Sequence, residues 1–316
     1  MTINKTTNEL WVSDPALNAE VRFPHYVDIV ASDCNNCGTA ITEVAPVASA
    51  FDEWGDLYVA DSANRIAVHY PGVSAVNAAN YLPNRPLAPG MIASLFPLSG
   101  RFGGSGQQAG SLPLPTQLNG VEVLFNGQPA PLFYAGPGQI NFQVPMSAPQ
   151  SGTADIEVLE VSDHRVLGSW LVTMNSVSPG LFTTSASGTG GATALNQDNT
   201  VNSASNPAVA GSIVQLFGTG QGLISGAPAD GNSSAGAVPT TEHPQVIIGG
   251  GFVDDSSVAW SGLAPALVGV WQINVRIPKN VITLANNPVQ VVIVSDGIPS
   301  GGGGIGRMVQ IYVKQP

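Results

Sequence analysis

Seven residues, Gln139-Ile140-Asn141-Phe142-Gln143-Val144-Pro145, return barely altered as Gln272-Ile273-Asn274-Val275-Arg276-Ile277-Pro278. In each copy apolar residues alternate with polar ones, the period of a strand with one buried and one wet face. Proline closes both runs, where a missing N–H no longer interrupts a ladder. Burying three such side chains yields roughly 5–9 kcal/mol gross, and fixing about seven backbones costs a similar amount. Neither strand can stand alone, so each needs a sheet and a facing layer. One β plan written twice is the reading that follows.

Other anchors repeat with it. Pro89-Gly90-Met91-Ile92-Ala93-Ser94-Leu95-Phe96 matches Ala210-Gly211-Ser212-Ile213-Val214-Gln215-Leu216-Phe217, and Leu132–Gly136 matches Val258–Gly262. Phe96 to Gln139 is 43 positions and Phe217 to Gln272 is 55, so the second copy has gained about twelve residues. The loops Ser225–Thr240 and Gly249–Ser257 are the places for them. Asn126-Gly127 predicts a tight hairpin, since both residues tolerate positive φ. About seven short strands in about 100 residues per copy fit an immunoglobulin-like sandwich. A Cys…Trp…Cys pattern is absent, so antibody-type domains are excluded.

Near the N-terminus a second repeat runs. Leu10-Trp11-Val12-Ser13-Asp14 is echoed by Leu57-Tyr58-Val59-Ala60-Asp61, and Val21-Arg22-Phe23-Pro24 by Val68-His69-Tyr70-Pro71, both 47 positions on. One constant shift for two strand pairs suits propeller blades. The phrase from Asp52 to Ile66 resembles the NHL repeat of β-propellers, where an Asp after the second strand and a nearby Asn shape a turn. Asp14 and Asp61 match that Asp, and Asn18 and Asn64 match the Asn less tightly. A closed ring needs about four blades or more, whereas one blade and part of another are expected here. Either an upstream segment or other chains would complete them.

The domain plan expected is therefore NHL-like blade repeats at 1–72, a Pro-containing linker at 73–88, and Ig-like sandwiches at 89–184 and 185–316. The fold class expected is all-β, two tandem immunoglobulin-like sandwiches preceded by an incomplete propeller.

Ser178-Pro179-Gly180-Leu181-Phe182-Thr183, the run Ala194–Asn202, Asn206-Pro207-Ala208 and Phe217-Gly218-Thr219-Gly220-Gln221-Gly222 follow the first copy of the repeated strand. Together with Pro137–Pro145 they resemble the Solibacter-type uncharacterised C-terminal domain family, over roughly Leu87 to Val313. The resemblance implies tandem sandwiches, often set after NHL or other propeller repeats, in exported bacterial proteins. It implies no chemistry, because its motif residues are Gly, Pro and Asn at turns.

Composition narrows the partners. Only 10% of residues are charged, and the formal net charge is −11 with ten Lys and Arg in 316 residues. That argues against nucleic-acid backbones and anionic membrane surfaces. Apolar residues at 43% supply real cores, so the chain is not of the disordered class. No run of about 18 apolar residues exists to span a bilayer as a helix. Met1-Thr2-Ile3-Asn4-Lys5 lacks the apolar core of a signal peptide. Secretion or a cell-surface location would then rest on a signal upstream of Met1.

Candidate sites are few. Cys34-Asn35-Asn36-Cys37 lacks a following His, which excludes haem attachment, and a single Cys pair cannot make a four-thiolate zinc site. A local disulfide, two free thiols, or a metal half-site or redox pair stay open. Asp254-Asp255 and Asp198 offer oxygen ligands that could suit calcium, but neither loop has the Asp-rich pattern ending in Glu; turn capping is the plainer role. Gly301–Gly306 satisfies G-x-G-x-x-G, yet an alternating strand pattern follows where a dinucleotide site needs a helix. His25, His69, His164 and His243 lie far apart, without a nucleophile motif. Trp170, Trp260 and Trp271 could make a sugar platform, although strand positions favour core packing. Lys279 and Lys314 are the lysines available for an intramolecular crosslink to Asn. No catalytic residue and no cofactor is expected. A non-catalytic structural or interaction protein follows, with self-association or other protein partners; a glycan- or small-ligand-binding module is the alternative.

Overall fold

The structure is a computed structural model, and it describes residues 1–4, 9–23, 39–41, 45–51, 57–63, 66–70, 72–98, 101–162, 165–283, 288–301 and 308–316. Among these the chain is all-β, with one short 3-10 turn at Asp255–Ser257 and no α-helix. Among the described residues no sheet closes on itself.

Two antiparallel meanders come first. Thr2–Asn4, Glu9–Asp14, Ala19–Phe23 and Thr39–Ile41 make a four-stranded sheet; Pro46–Phe51, Leu57–Asp61 and Ile66–Tyr70 make a three-stranded one. The 47-residue repeat lands on the same turn in both. Asp14 Oδ1 accepts from Ala16 and Leu17 N–H, and Asp61 Oδ1 accepts from Ala63 N–H. Asn18 takes a positive φ of 48°, which Asn tolerates; Asn64 lies outside the described residues. The sheets pack face to face through Trp11 and Phe51, with centroids 6.0 Å apart and edge-on, beside buried Leu57 and Val59.

The first sandwich places the order Gln107–Gln108, Leu132–Gly136, Gln139–Gln143, Ile92–Pro97, Val73–Asn77 against Gln117–Leu118, Val121–Phe125, Thr153–Glu160, Val166–Thr173. Phe125 and Phe142 meet across it. The second repeats the plan. Val258–Leu263, Trp271–Arg276 and Ile213–Thr219 stand for the three middle strands of one sheet, and Gln245–Ile248, Pro288–Ser295 and Val309–Lys314 for three of the other. A register shift recurs at the same place, between Leu132 and Tyr134 and between Val258 and Trp260. The hairpin at Asn126-Gly127 (φ 49° and 73°) corresponds to that at Gly249-Gly250 (φ 65° and 86°).

The recurring strands fill the two cores: Ile140, Phe142, Val144, Ile273, Val275 and Ile277 are all fully buried. Their polar faces also agree. Gln139 Nε2 donates to Asn141 Oδ1 at 2.7 Å, and Gln272 Nε2 donates to Asn274 Oδ1 at 2.9 Å.

Two boundaries differ from the sequence reading. Residues 73–88 are no spacer: Val73–Asn77 is a strand paired with Ile92–Pro97, and Leu87 and Ala88 are buried in the first core. The apolar Leu87 draws the proline-rich segment onto Met174, where Leu87 N–H donates to Thr173 O and Asn175 N–H to Leu87 O. Gly180–Leu181 already pairs with Ile213–Thr219, so the second sandwich begins before residue 185.

Candidate functional site

Of the residues singled out in the sequence, His243 and Asp255 come together, on the lining of one groove. Cys34, Cys37, His25 and His164 lie outside the described residues. Asp198 caps its own turn, accepting from Thr200 Oγ1 at 2.6 Å and Thr200 N–H at 3.1 Å. The hydroxyl, chiefly, holds its carboxyl below the usual carboxylate range. Asp254 caps the 3-10 turn in the same way through Ser256, with the same effect on its carboxyl. Among the described residues no three His, Cys, Asp or Glu are grouped to hold a metal ion. Trp271 is 2% exposed and its Nε1–H donates to Ser261 Oγ at 2.8 Å, so it belongs to the core rather than to a platform. Trp170 packs against the first core and Trp260 is half-buried. The strand Val309–Lys314 follows the glycine run, as the alternation predicted. Lys279 flanks Gly211 and Lys314 is exposed.

Two concave regions stand out among the described residues. One is an open groove of about 680 Å³ on the second sandwich, whose lining includes Glu242, His243, Gln245, Asp255, Ser295 and Asp296. Its carboxylates, amide and hydroxyl can hydrogen-bond a polar ligand. Asp296 already accepts from Ser176 Oγ at 3.3 Å.

The other is the seam between the sandwiches, and here buried polar side chains concentrate. Asn77 Nδ2–H donates to Ser178 O at 2.7 Å while its Oδ1 accepts from Ala79 N–H at 2.8 Å. Asn80 Nδ2 donates to Pro179 O and Ser300 O, and its Oδ1 accepts from Leu82 N–H. Thr219 Oγ1 accepts from Ile92 N–H at 2.9 Å and donates to Gly269 O at 2.8 Å. Each side chain thus satisfies main-chain groups across the seam in a buried place, where an unpaired partner is costly.

A strap completes the seam. The loop 225–240, which carries extra residues of the second copy, reaches back to the first sandwich. Leu114 N–H donates to Gly231 O, Gly231 N–H to Gln143 Oε1, and Met146 N–H to Asp230 Oδ1. Gln143, on the polar side of the recurring strand, is therefore 5% exposed. Burial pushes the Asp230 carboxyl above its usual value, with the Met146 N–H opposing. Asn77 and Asn80 carried no sequence signal beyond turn chemistry, and the motifs that hold Gln143 and Thr219 gave no sign of a seam. The gain of about twelve residues, expected at Ser225–Thr240 and Gly249–Ser257, was the one pointer.

No family model and no curated protein matches the chain. Among solved structures it is similar to a Bacteroides ovatus mixed-linkage glucan utilization locus protein, SGBP-B, in complex with a mixed-linkage heptasaccharide. That likeness has 12% identity and a TM-score of 0.32, covering 100% of this chain and 65% of that one. It is also similar to the plexin A4 extracellular region, at 11% identity and TM-score 0.22, over 76% of this chain and 18% of that one. The chain thus spans less than two thirds of either neighbour's length. Likenesses this slight carry no argument about fold or function.

Proposed function

We propose that this chain is a non-catalytic extracellular structural protein, a stiff spacer or assembly subunit in which NHL-type propeller meanders precede two immunoglobulin-like sandwiches. The observation that carries the reading is the seam. Its buried side chains are spent on joining two domains, and a spacer must transmit force or set a distance without bending. Low charge and abundant Ser, Thr, Asn and Gly suit export. Among the described residues the outer strands of the N-terminal meanders pair on one side only, and such edges can recruit neighbouring chains. Light scattering on the purified chain tests this: a concentration-dependent rise in mass is expected, and a clean monomer at every concentration counts against the assembly role.

The open groove on the second sandwich favours a second reading, a glycan- or small-ligand-binding module. A ligand bound to the native state alone raises the melting temperature. A glycan that shifts the wild type but not a Glu242→Gln, Asp296→Asn variant would make this reading the better one.

A further inference from the structure

The two N-terminal meanders pack through matched faces of one repeat, and each leaves one face of the pair uncovered. In the second meander Phe51 stands opposite Leu57, and Val59 continues the same face. That face receives Trp11 of the first meander, which is 4% exposed with its ring centroid 6.0 Å from that of Phe51. The first meander builds the same face. Ile3 stands opposite Leu10, and Val12 continues it opposite Val21; Leu10 and Val12 lie 47 positions before Leu57 and Val59. Leu57 and Val59 are buried, yet Ile3 is 40% exposed and Leu10, Val12 and Val21 are half-buried. The aromatic ring has its counterpart too. Tyr58 lies 47 positions after Trp11, on the opposite side of its strand from Leu57 and Val59, and is 40% exposed with exposed Ala50 across from it.

We propose that a second copy of this chain docks here face on face, with Tyr58 of one molecule on the Ile3–Leu10–Val12 face of the next, as Trp11 sits on Phe51–Leu57–Val59 within the chain. The internal contact identifies the occupant. An aliphatic face of this repeat takes an aromatic ring from a neighbouring meander, and each molecule carries one such face and one such ring still accessible to solvent. Clustered exposed apolar side chains mark interaction surfaces. Ile3, Leu10, Val12, Val21, Ala50 and Tyr58 include no charge, so a chain of net charge −11 can meet its own copy there. The two faces differ, so the contact is heterologous and either closes as a ring or runs on as a filament. It rests on the assembly role proposed above and gives that role a surface distinct from the strand edges.

Sedimentation velocity at raised salt, which screens the net charge, tests the contact on wild type, Tyr58→Glu and Ile3→Glu. Wild type should form a larger species as concentration rises. Each variant alone should keep the mass of one chain, because a carboxylate pressed into an apolar contact is costly. Each variant also keeps the face that the other has lost, so an equimolar mixture should give a species of twice the chain mass and nothing larger. Should either variant fail to fold, Ala50→Glu replaces the first and Val21→Glu the second, each on the same face. Association unchanged in either variant, or a mixture that stays monomeric, would overturn the face contact and leave the assembly role standing. A wild type that is monomeric at every concentration would overturn both.

Discussion

Asn77 and Asn80 show how much one side chain can hold together. Each amide donates to a carbonyl around the 178–179 connector and accepts from an N–H two residues ahead, all in a buried seam. Replacing Asn77 by alanine orphans two main-chain groups and replacing Asn80 orphans three, at about 1–3 kcal/mol each. Urea unfolding of Asn77→Ala should therefore show a large fall in stability, whereas Asn84→Ala, at an exposed positive-φ turn, should cost far less. Asp230 makes a different prediction. Its half-buried carboxyl holds a proton more tightly in the folded chain than the ordinary value of 3.8 implies, because burial disfavours the charge. The folded state then binds more protons than the unfolded state just above that value, so stability declines as pH rises through the window and levels off above it. Asp230→Asn keeps an oxygen for Met146 N–H and has no charge to bury. Melting curves of the two proteins should coincide best at the acid end and separate in the variant's favour as pH rises.

Among the elements, the recurring strands were legible because their signal is local: period-two alternation and a closing proline need no knowledge of the rest of the chain. The repeated bulge and hairpin follow from the same plan. Gln143 was not legible as a buried residue, since its partner Gly231 lies 88 positions away on a strap. The 73–88 segment misleads for a related reason. Its prolines have the composition of a spacer, while the apolar contacts of Leu87 that hold it down are tertiary. The seam asparagines look like turn residues and are turn residues; only the fold shows that the turns face one another. The Cys34–Cys37 segment falls outside the described residues and its reading stands as an expectation. At the strap, Gly231 has φ of 77° and a Cβ there would sit 3.1 Å from Leu114 O. Gly127 has φ of 73° with nothing near it. Gly127→Ala should then cost about 1–2 kcal/mol for the left-handed backbone alone, and Gly231→Ala clearly more, as read by shifts in urea midpoint at unchanged slope.

At the scale of the whole molecule, two sandwiches of one plan are joined by main-chain groups satisfied across a buried seam, with paired meanders ahead of them. Coupling of this kind makes the sandwiches unfold together, because opening the seam exposes unpaired groups on both sides. A net charge of −11 adds self-repulsion between copies that salt would screen, so any association should strengthen as ionic strength rises. Native-state hydrogen exchange reaches the joined plan most directly, through the amides of Ile140, Phe142, Ile273 and Val275. Both strands should rank among the slowest-exchanging segments and share one opening free energy, and Asn77→Ala should lower both together. Fast exchange in either strand, or two unrelated levels that Asn77→Ala leaves unchanged, would contradict it.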